Sequence, residues 1–269
     1  MAKMGTAMVT GASSGIGAAY AERLAAAGHD LILVARRAER LAELAARLAR
    51  AYGVKAEYRA ADLADADQMG GLALHIEKQP VAWLVNNAGA GGLGPVATAG
   101  ADAQERLIGL NITALVRLSL AALKGFEKTG RGTLVNIASV MAFAPTAGGA
   151  TYSGSKAFVL NFTRSLAEEY AQRAVRIQAV LPGPVRTEFF SAQGLSDAIF
   201  PDTAYIDADE LVDAALAGLA AGETVTVPTM AESALWEAME TARTGFLGSV
   251  MSGTVARRYR MPKSPTGEG

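Results

Sequence analysis

Tyr152 and Lys156 stand four residues apart, the spacing that puts two side chains on one face of a helix. That pairing suits proton transfer. A free phenol titrates near ~10 and is a poor base, whereas an ammonium one turn away favours the phenolate and lowers that value. A carbonyl that accepts a hydride becomes an alkoxide and needs a proton donor, and the reverse reaction needs a base. The same Tyr-x-x-x-Lys pattern recurs at Tyr259 and Lys263, but Pro262 lies inside it and breaks the helical spacing. Tyr152 instead heads a long apolar run, 152–170, and follows Ser139, which ends a strand.

A second chemical signal precedes the first helix. Thr10-Gly-Ala-Ser-Ser-Gly-Ile-Gly17 follows an apolar strand, the place where a doubly wound sheet presents backbone N–H groups to a pyrophosphate. Gly11, Gly15 and Gly17 can make that turn, although G-x-x-x-G-x-G departs from the usual dinucleotide fingerprint; the alternative is a tight turn with no ligand. At the end of the next strand, where an NAD site keeps an acid for the ribose, the chain has Ala35, then Arg36 and Arg37. Two arginines opposing the positive end of a helix dipole call for an anion, which the 2′-phosphate of NADP(H) would supply. The competing reading is a pair of solvated surface arginines.

The elements that must position these groups follow from the pattern. Residues 6–9, 31–34, 56–58, 82–85, 133–137, 177–181 and 224–227 read as strands, and alanine-rich stretches such as 18–27 and 37–51 as helices. Near-continuous apolar strands predict coverage on both faces. The expected architecture is α/β: a single doubly wound Rossmann-type domain with a parallel, seven-stranded sheet flanked by helices. It spans 1–261 as one NADP-binding catalytic domain, with 262–269 a loose tail.

Composition removes other classes. The chain has 269 residues, 51% of them hydrophobic, and a net charge of -1 with no basic stripe, so nucleic acid is not an expected partner. Cysteine is absent, which excludes disulfides and thiolate metal sites and fits a reducing, cytoplasmic setting. No apolar stretch reaches the ~20 residues of a membrane span, and the first residues do not read as a signal peptide. His29 reads as a solvated loop residue and His75 lacks a partner at ligand spacing, so no metal site is expected. Among Asp62, Asp65 and Asp67, the last two read as capping of the next helix. Met230, Met239, Met251, Met261 and Trp236 suggest core or subunit-interface packing.

From Gly5 to about Thr187 the chain resembles the short-chain dehydrogenase/reductase family, with its motifs in order. The resemblance makes Gly11, Ser13, Ser14, Gly15, Ile16 and Gly17 a cofactor turn, and Asp62-Leu63 an adenine contact. It adds Asn87, Ala88 and Gly89 after the fourth strand, and Pro182, Gly183, Val185 and Thr187 around the nicotinamide carboxamide. It implies a catalytic set of Asn111, Ser139, Tyr152 and Lys156, in which Ser139 holds the substrate oxygen. Lys156 also binds the nicotinamide ribose, and Asn111 supports a proton-relaying water. Taken singly, Ser139 could be a strand-end cap, and Asn111 a helix N-cap or buried amide. The implied activity is reversible hydride transfer between NADP(H) and a ketone, aldehyde or secondary alcohol. A non-catalytic NADP sensor or scaffold is the alternative, and Ala35 argues against an NAD enzyme. Relatives pair through long helices that here would begin near Asn111 and Tyr152, which implies a homodimer or homotetramer.

Three segments, 90–95, 140–149 and 184–205, should line a pocket at the carboxyl end of the sheet. Residues 188–205 carry Phe189, Phe190, Leu195, Ile199, Phe200 and Tyr205, and read either as a lid over a largely apolar substrate or as fixed packing. Glu188 is expected to neutralise Arg186.

Overall fold

The seven apolar segments pair into one parallel sheet in the computed structural model of the chain, which describes residues 4–260. The strands are β1 (Thr6–Thr10), β2 (Asp30–Ala35), β3 (Ala56–Ala60), β4 (Trp83–Asn86), β5 (Gly132–Ile137), β6 (Val175–Val180) and a last strand at Val225–Thr226, in the order β3-β2-β1-β4-β5-β6 followed by that last strand. Chain order reverses between β1 and β4, so the crevice that binds ligands in such sheets opens beside the Thr10–Gly17 turn.

Alternation along each strand feeds two cores. Ala7 and Val9 face α1 (Gly15–Ala26), α2 (Ala38–Tyr52) and α7 (Ala208–Ala220), packing with Tyr20, Leu24, Leu41, Leu48 and Leu211. Met8 and Leu84 face the other way, onto Met69 and Leu72 of α3 (Ala66–Lys78) and onto Leu118 and Phe126 of α5 (Leu115–Thr129). Each such leucine contributes roughly 1.5–3 kcal/mol when fully buried. The Asp65 carboxylate caps α3 by accepting from the Asp67 and Gln68 N–H groups, as expected for this acidic cluster.

Between the strands the chain departs from the sequence reading in three places. The helix expected to begin near Asn111 begins at Ala101: α4 (Ala101–Ile108) runs through a π segment (Gly109–Ala114) into α5 without interruption. Asn111 is therefore a mid-helix residue rather than an N-cap. Among the described residues, the 101–129 run is long and apolar enough to cross a membrane by length and composition, contrary to the expectation that no stretch would be. Half of its apolar window is buried, however, and Leu118, Ala121, Ala122 and Phe126 are the side chains that cover the sheet. Thirdly, β7 (Val185–Arg186) and β8 (Ile206–Asp207) form a small parallel ladder that clasps the two ends of the 187–205 excursion. Two-residue strands are too short to leave a periodic signal.

His29 is buried, not solvated: Nδ1 lies 3.2 Å from the Gly5 carbonyl and the ring stands edge-on to Trp83. The chain divides into two compact units after Thr229. The second holds α8 (Ser233–Ser249) and short turns to Tyr259. None of α8 is buried, and Met251 is 83% exposed, so core packing does not apply to the methionines there; Met261 and the 262–269 tail lie outside the described residues.

Tyr20 on α1 is fully buried, and among the described residues its hydroxyl has no hydrogen-bond partner, while burial pushes its phenol up. Tyr20→Phe removes a desolvated polar atom at no cost in shape and should stabilise the fold by about 1 kcal/mol, read as a higher urea midpoint. A lower midpoint would mean that buried water satisfies the hydroxyl.

Candidate active site

The glycine turn is fastened to the end of β4 by one hydroxyl. Thr10 Oγ1 accepts from the N–H groups of Asn87 and Ala88, each at 3.0 Å, and donates to the Val85 carbonyl. The Asn87 amide donates to the carbonyls of Thr10 and Gly11. This close docking explains the glycines: a Cβ on Gly11 would lie 2.6 Å from Asn87 Nδ2, and one on Gly17 would lie 2.4 Å from the Gly11 carbonyl oxygen. Gly15, at φ +53, meets Thr187, whose Cγ2 a Cβ there would approach to 2.8 Å. The turn, residues 87–89 and Thr187 therefore converge at the switch point. Backbone N–H groups at the start of α1, a tight approach and neighbouring hydroxyls of Ser13 and Ser14 fit a dinucleotide pyrophosphate.

Pro182 and Gly183 follow β6, where the Pro182 carbonyl accepts from Val140 N–H and, at 3.4 Å, from the Ser139 hydroxyl. Val185 is held in the β7–β8 ladder. On the other side of the crevice, Asp62 accepts from Ala64 N–H and pairs with Arg106 at 2.8 Å, while the Leu63 side chain is buried in the core.

The four residues of the expected catalytic set gather at the end of β5. Ser139 caps the turn Val140–Ala142 by accepting from Met141 N–H. Tyr152 and Lys156 lie one turn apart on α6 (Ala150–Glu169), with Lys156 Nζ 5.7 Å from the phenol ring centre and donating to the Ile137 carbonyl at 2.9 Å. Asn111 forms a reciprocal pair with the backbone of Ala90, accepting from its N–H and donating to its carbonyl, each at 2.9 Å. It also donates to Ser155 Oγ, which in turn donates to the Tyr152 carbonyl. All four are at least nine-tenths buried. The second Tyr-x-x-x-Lys pattern offers nothing similar: Tyr259 is exposed in a short turn of the second unit, and Pro262 and Lys263 lie outside the described residues.

Burial sets the protonation of this group. It pushes the Tyr152 phenol up to about 12, with the Ser139 hydroxyl pulling the other way, and it pulls the Lys156 ammonium down to about 8. The expected lowering by Lys156 is not what shifts the phenol: burial raises it and only the Ser139 hydroxyl lowers it. A neutral phenol in this setting is a proton donor.

Arg36 is exposed, and among the described residues it makes no hydrogen bond or ion pair. Arg37 is fully engaged: it donates to Ser13 Oγ and Ser14 Oγ and pairs with Glu188 at 2.5 Å. Glu188 also pairs with Arg40 at 2.7 Å, and Arg37 followed by Arg40 holds its carboxyl down at about 2. The expected Glu188–Arg186 pair does not form; Arg186 lies 3.8 Å from Asp202 and from Asp207 and stacks on the Tyr205 ring. Sequence analysis paired Glu188 with its neighbour Arg186 because its actual partners lie about 150 positions away, and it did not find Ser155 or Gln193. Gln193 donates to the Phe189 carbonyl and accepts from Leu93 N–H, so close to Gly91 that a Cβ there would overlap it. The Phe189 ring packs on Tyr152 at 5.7 Å.

A doubly wound sheet with a glycine turn at its switch point, and a buried phenol, hydroxyl and ammonium at the same edge, has the architecture of a dinucleotide oxidoreductase. The family model for short chain dehydrogenase matches residues 5–197. Sulfoacetaldehyde reductase 2 of Chromohalobacter salexigens is 36% identical over 219 residues, covering 77% of this chain and 84% of that protein. Among solved structures, a short-chain dehydrogenase from Sphingobium yanoikuyae in complex with NADPH is 42% identical with a TM-score of 0.91, covering 95% of this chain and 99% of that one. A bulky-bulky ketone specific alcohol dehydrogenase from Comamonas testosteroni is 36% identical with a TM-score of 0.87, covering 96% and 100%. The chain belongs to the short-chain dehydrogenase family, oxidoreductases acting on alcohols and ketones.

The depressed ammonium has a thermodynamic signature. Folded Lys156 titrates near 8 against an ordinary 10.5, so between those limits the unfolded chain binds the extra proton. Stability from this group is fully present above 10.5 and is lost as pH falls through 8. Wild-type protein should therefore gain stability over Lys156→Met as pH rises across that window, by up to about 1.4 kcal/mol per pH unit. Parallel urea midpoints of the two proteins across the window would show Lys156 to be charged throughout.

Proposed function

We propose that the protein is an NADP(H)-dependent reductase of bulky, largely apolar ketones, working reversibly as a secondary-alcohol dehydrogenase. The observation that carries the reading is the buried Tyr152 phenol, flanked by Ser139 and Lys156 beside the glycine turn. When bound, the nicotinamide supplies the hydride for the carbonyl carbon. Tyr152 then gives its proton to the carbonyl oxygen, so that ketone, hydride and proton sum to the alcohol. Ser139 Oγ fixes that oxygen. Lys156, held by the Ile137 carbonyl, keeps positive charge close to the phenol and reaches the ribose hydroxyls. Asn111 is a positioning residue: through Ser155 it sets the backbone of Tyr152, and through Ala90 it sets the loop after β4.

The preference for NADP(H) rests on Ala35 at the end of β2, where the acid of an NAD site would stand, with Arg36 exposed beside it. The NADPH complex of the Sphingobium relative supports it. Gly11, Ser13, Ser14, Gly15, Ile16 and Gly17 hold the pyrophosphate in this reading, Asp62 and Leu63 flank the adenine, and residues 87–89, 182, 183, 185 and 187 frame the nicotinamide end. An apolar substrate is supported by the aromatic cluster of Phe189, Phe190, Phe200 and Tyr205, and by the substrate class of the Comamonas relative.

Tyr152→Phe should keep the fold and cofactor affinity while losing about 10²–10⁴-fold in turnover of an aryl ketone. Lys156→Met should lose both turnover and affinity, and Tyr259→Phe should match wild type. Equal residual activity in Tyr152→Phe and Tyr259→Phe would remove Tyr152 as the acid and favour a cofactor-binding protein without turnover. For the cofactor, direct titration should give tighter binding of NADPH than NADH, reversed by Ala35→Asp with Arg36→Gln. NADH binding wild type as tightly would overturn the preference.

A further inference from the structure

Three arginines, Arg36, Arg37 and Arg40, crowd the start of α2, where the helix dipole disfavours cations, with Glu39 the one acid in its first turn. A carboxylate from a distant loop compensates them: Glu188 accepts from Arg37 Nη1 at 2.5 Å and from Arg40 Nη1 at 2.7 Å. The remaining nitrogens of Arg37 lie on Ser13 Oγ and Ser14 Oγ, hydroxyls of the glycine turn itself. Glu188 thus places a negative charge against the arginine that faces the cofactor turn.

We infer that Glu188 is an internal stand-in for the cofactor's 2′-phosphate, so that a phosphorylated cofactor takes Arg37 from it and in doing so unfastens the 188–205 segment. The inference rests on the NADP(H) reading above. A phosphate dianion and the Glu188 carboxylate compete for the same Nη1 edge of Arg37. The pair is exposed, 42% for Arg37 and 47% for Glu188, and exposed ion pairs are weak enough to exchange. Arg36, exposed and without a hydrogen bond or ion pair among the described residues, though its charge also acts on Asp62, can meet the phosphate first. The consequence reaches the phenol. Phe189, next in the chain, packs on Tyr152, and Gln193 fastens the same segment to Leu93. A cofactor without the phosphate would leave Glu188 in place and the cover closed. Discrimination between the two dinucleotides therefore includes access to Tyr152 as well as affinity.

Calorimetric titration with adenosine 2′,5′-bisphosphate and with 5′-AMP tests this without turnover. Glu188→Gln should bind the bisphosphate about three- to fivefold more tightly than wild type and leave 5′-AMP unchanged. In an Arg37→Gln background the same substitution should have no effect, because the carboxylate acts through that guanidinium. Hydrogen exchange should speed up in residues 188–200 of wild type when the bisphosphate is added, and should already be fast in Glu188→Gln. Unchanged or weaker bisphosphate binding by Glu188→Gln overturns the inference. If wild type shows no preference for the bisphosphate over 5′-AMP, the NADP(H) reading falls as well, which separates the two failures.

Discussion

The hydroxyl of Thr10 holds the two halves of the site together. It sits at the end of β1 and serves three groups of the neighbouring β4 end: two N–H donors and one carbonyl. Parallel strands diverge into separate loops at a switch point, and nothing in the ladder itself ties those loops to each other. Thr10 and the Asn87 amide supply that tie. Through it the glycine turn, the backbone of residues 87–89 and, by way of Ala90, Asn111 become one connected frame. Most of that frame is backbone, which is why small residues dominate it.

A second layer of polar ties stiffens the sheet beneath. Asn86 and Asn136 are paired in register on β4 and β5, and their amides join Ser119 of α5 and Thr163 of α6 in an unbroken buried chain. Buried amides are costly when unpaired, so a slip of either helix or strand would strand several donors at once. The proposed catalytic set stands on these same elements: Ser139 two residues beyond β5, Tyr152 and Lys156 on α6, and Asn111 in the helix that continues into α5. Its geometry is inherited from the core.

The sequence was most legible where one local rule decided the outcome. Seven apolar runs separated by helical stretches sufficed for the parallel sheet. Where the outcome depends on distant partners, local rules were silent. Arg36 and Arg37 look alike in sequence, yet one is exposed, with its charge acting on Asp62, while the other is claimed by Ser13, Ser14 and Glu188. Glu188 lies two residues from Arg186 and pairs instead with arginines brought across by the fold. His29 reads as a turn residue, and only the packing of Trp83 against it explains its burial. For the phenol, the ammonium spacing was visible in sequence, but burial, with the Phe189 ring packed on it, is what raises its pKa.

The π segment at Gly109–Ala114 also sets the phase of the helix that contains it. An α-helix turns about 100° per residue, so one residue more in a single turn rotates everything beyond it by that amount relative to an uninterrupted α-helix. Leu107 before the segment and Leu115, Leu118 and Phe126 after it are all buried, and Asn111 between them points at Ala90 and Ser155. A regular helix would put Leu107, Asn111 and Leu118 on one face; here Leu118 and Phe126 cover the sheet, while Leu107 lies against Gly92 in the loop after β4. The extra residue acts as an angular spacer, reconciling the face that packs on the sheet with the face that reaches the loop. Deleting or adding one residue here would turn the sheet-facing side of α5 by about 100° relative to α4.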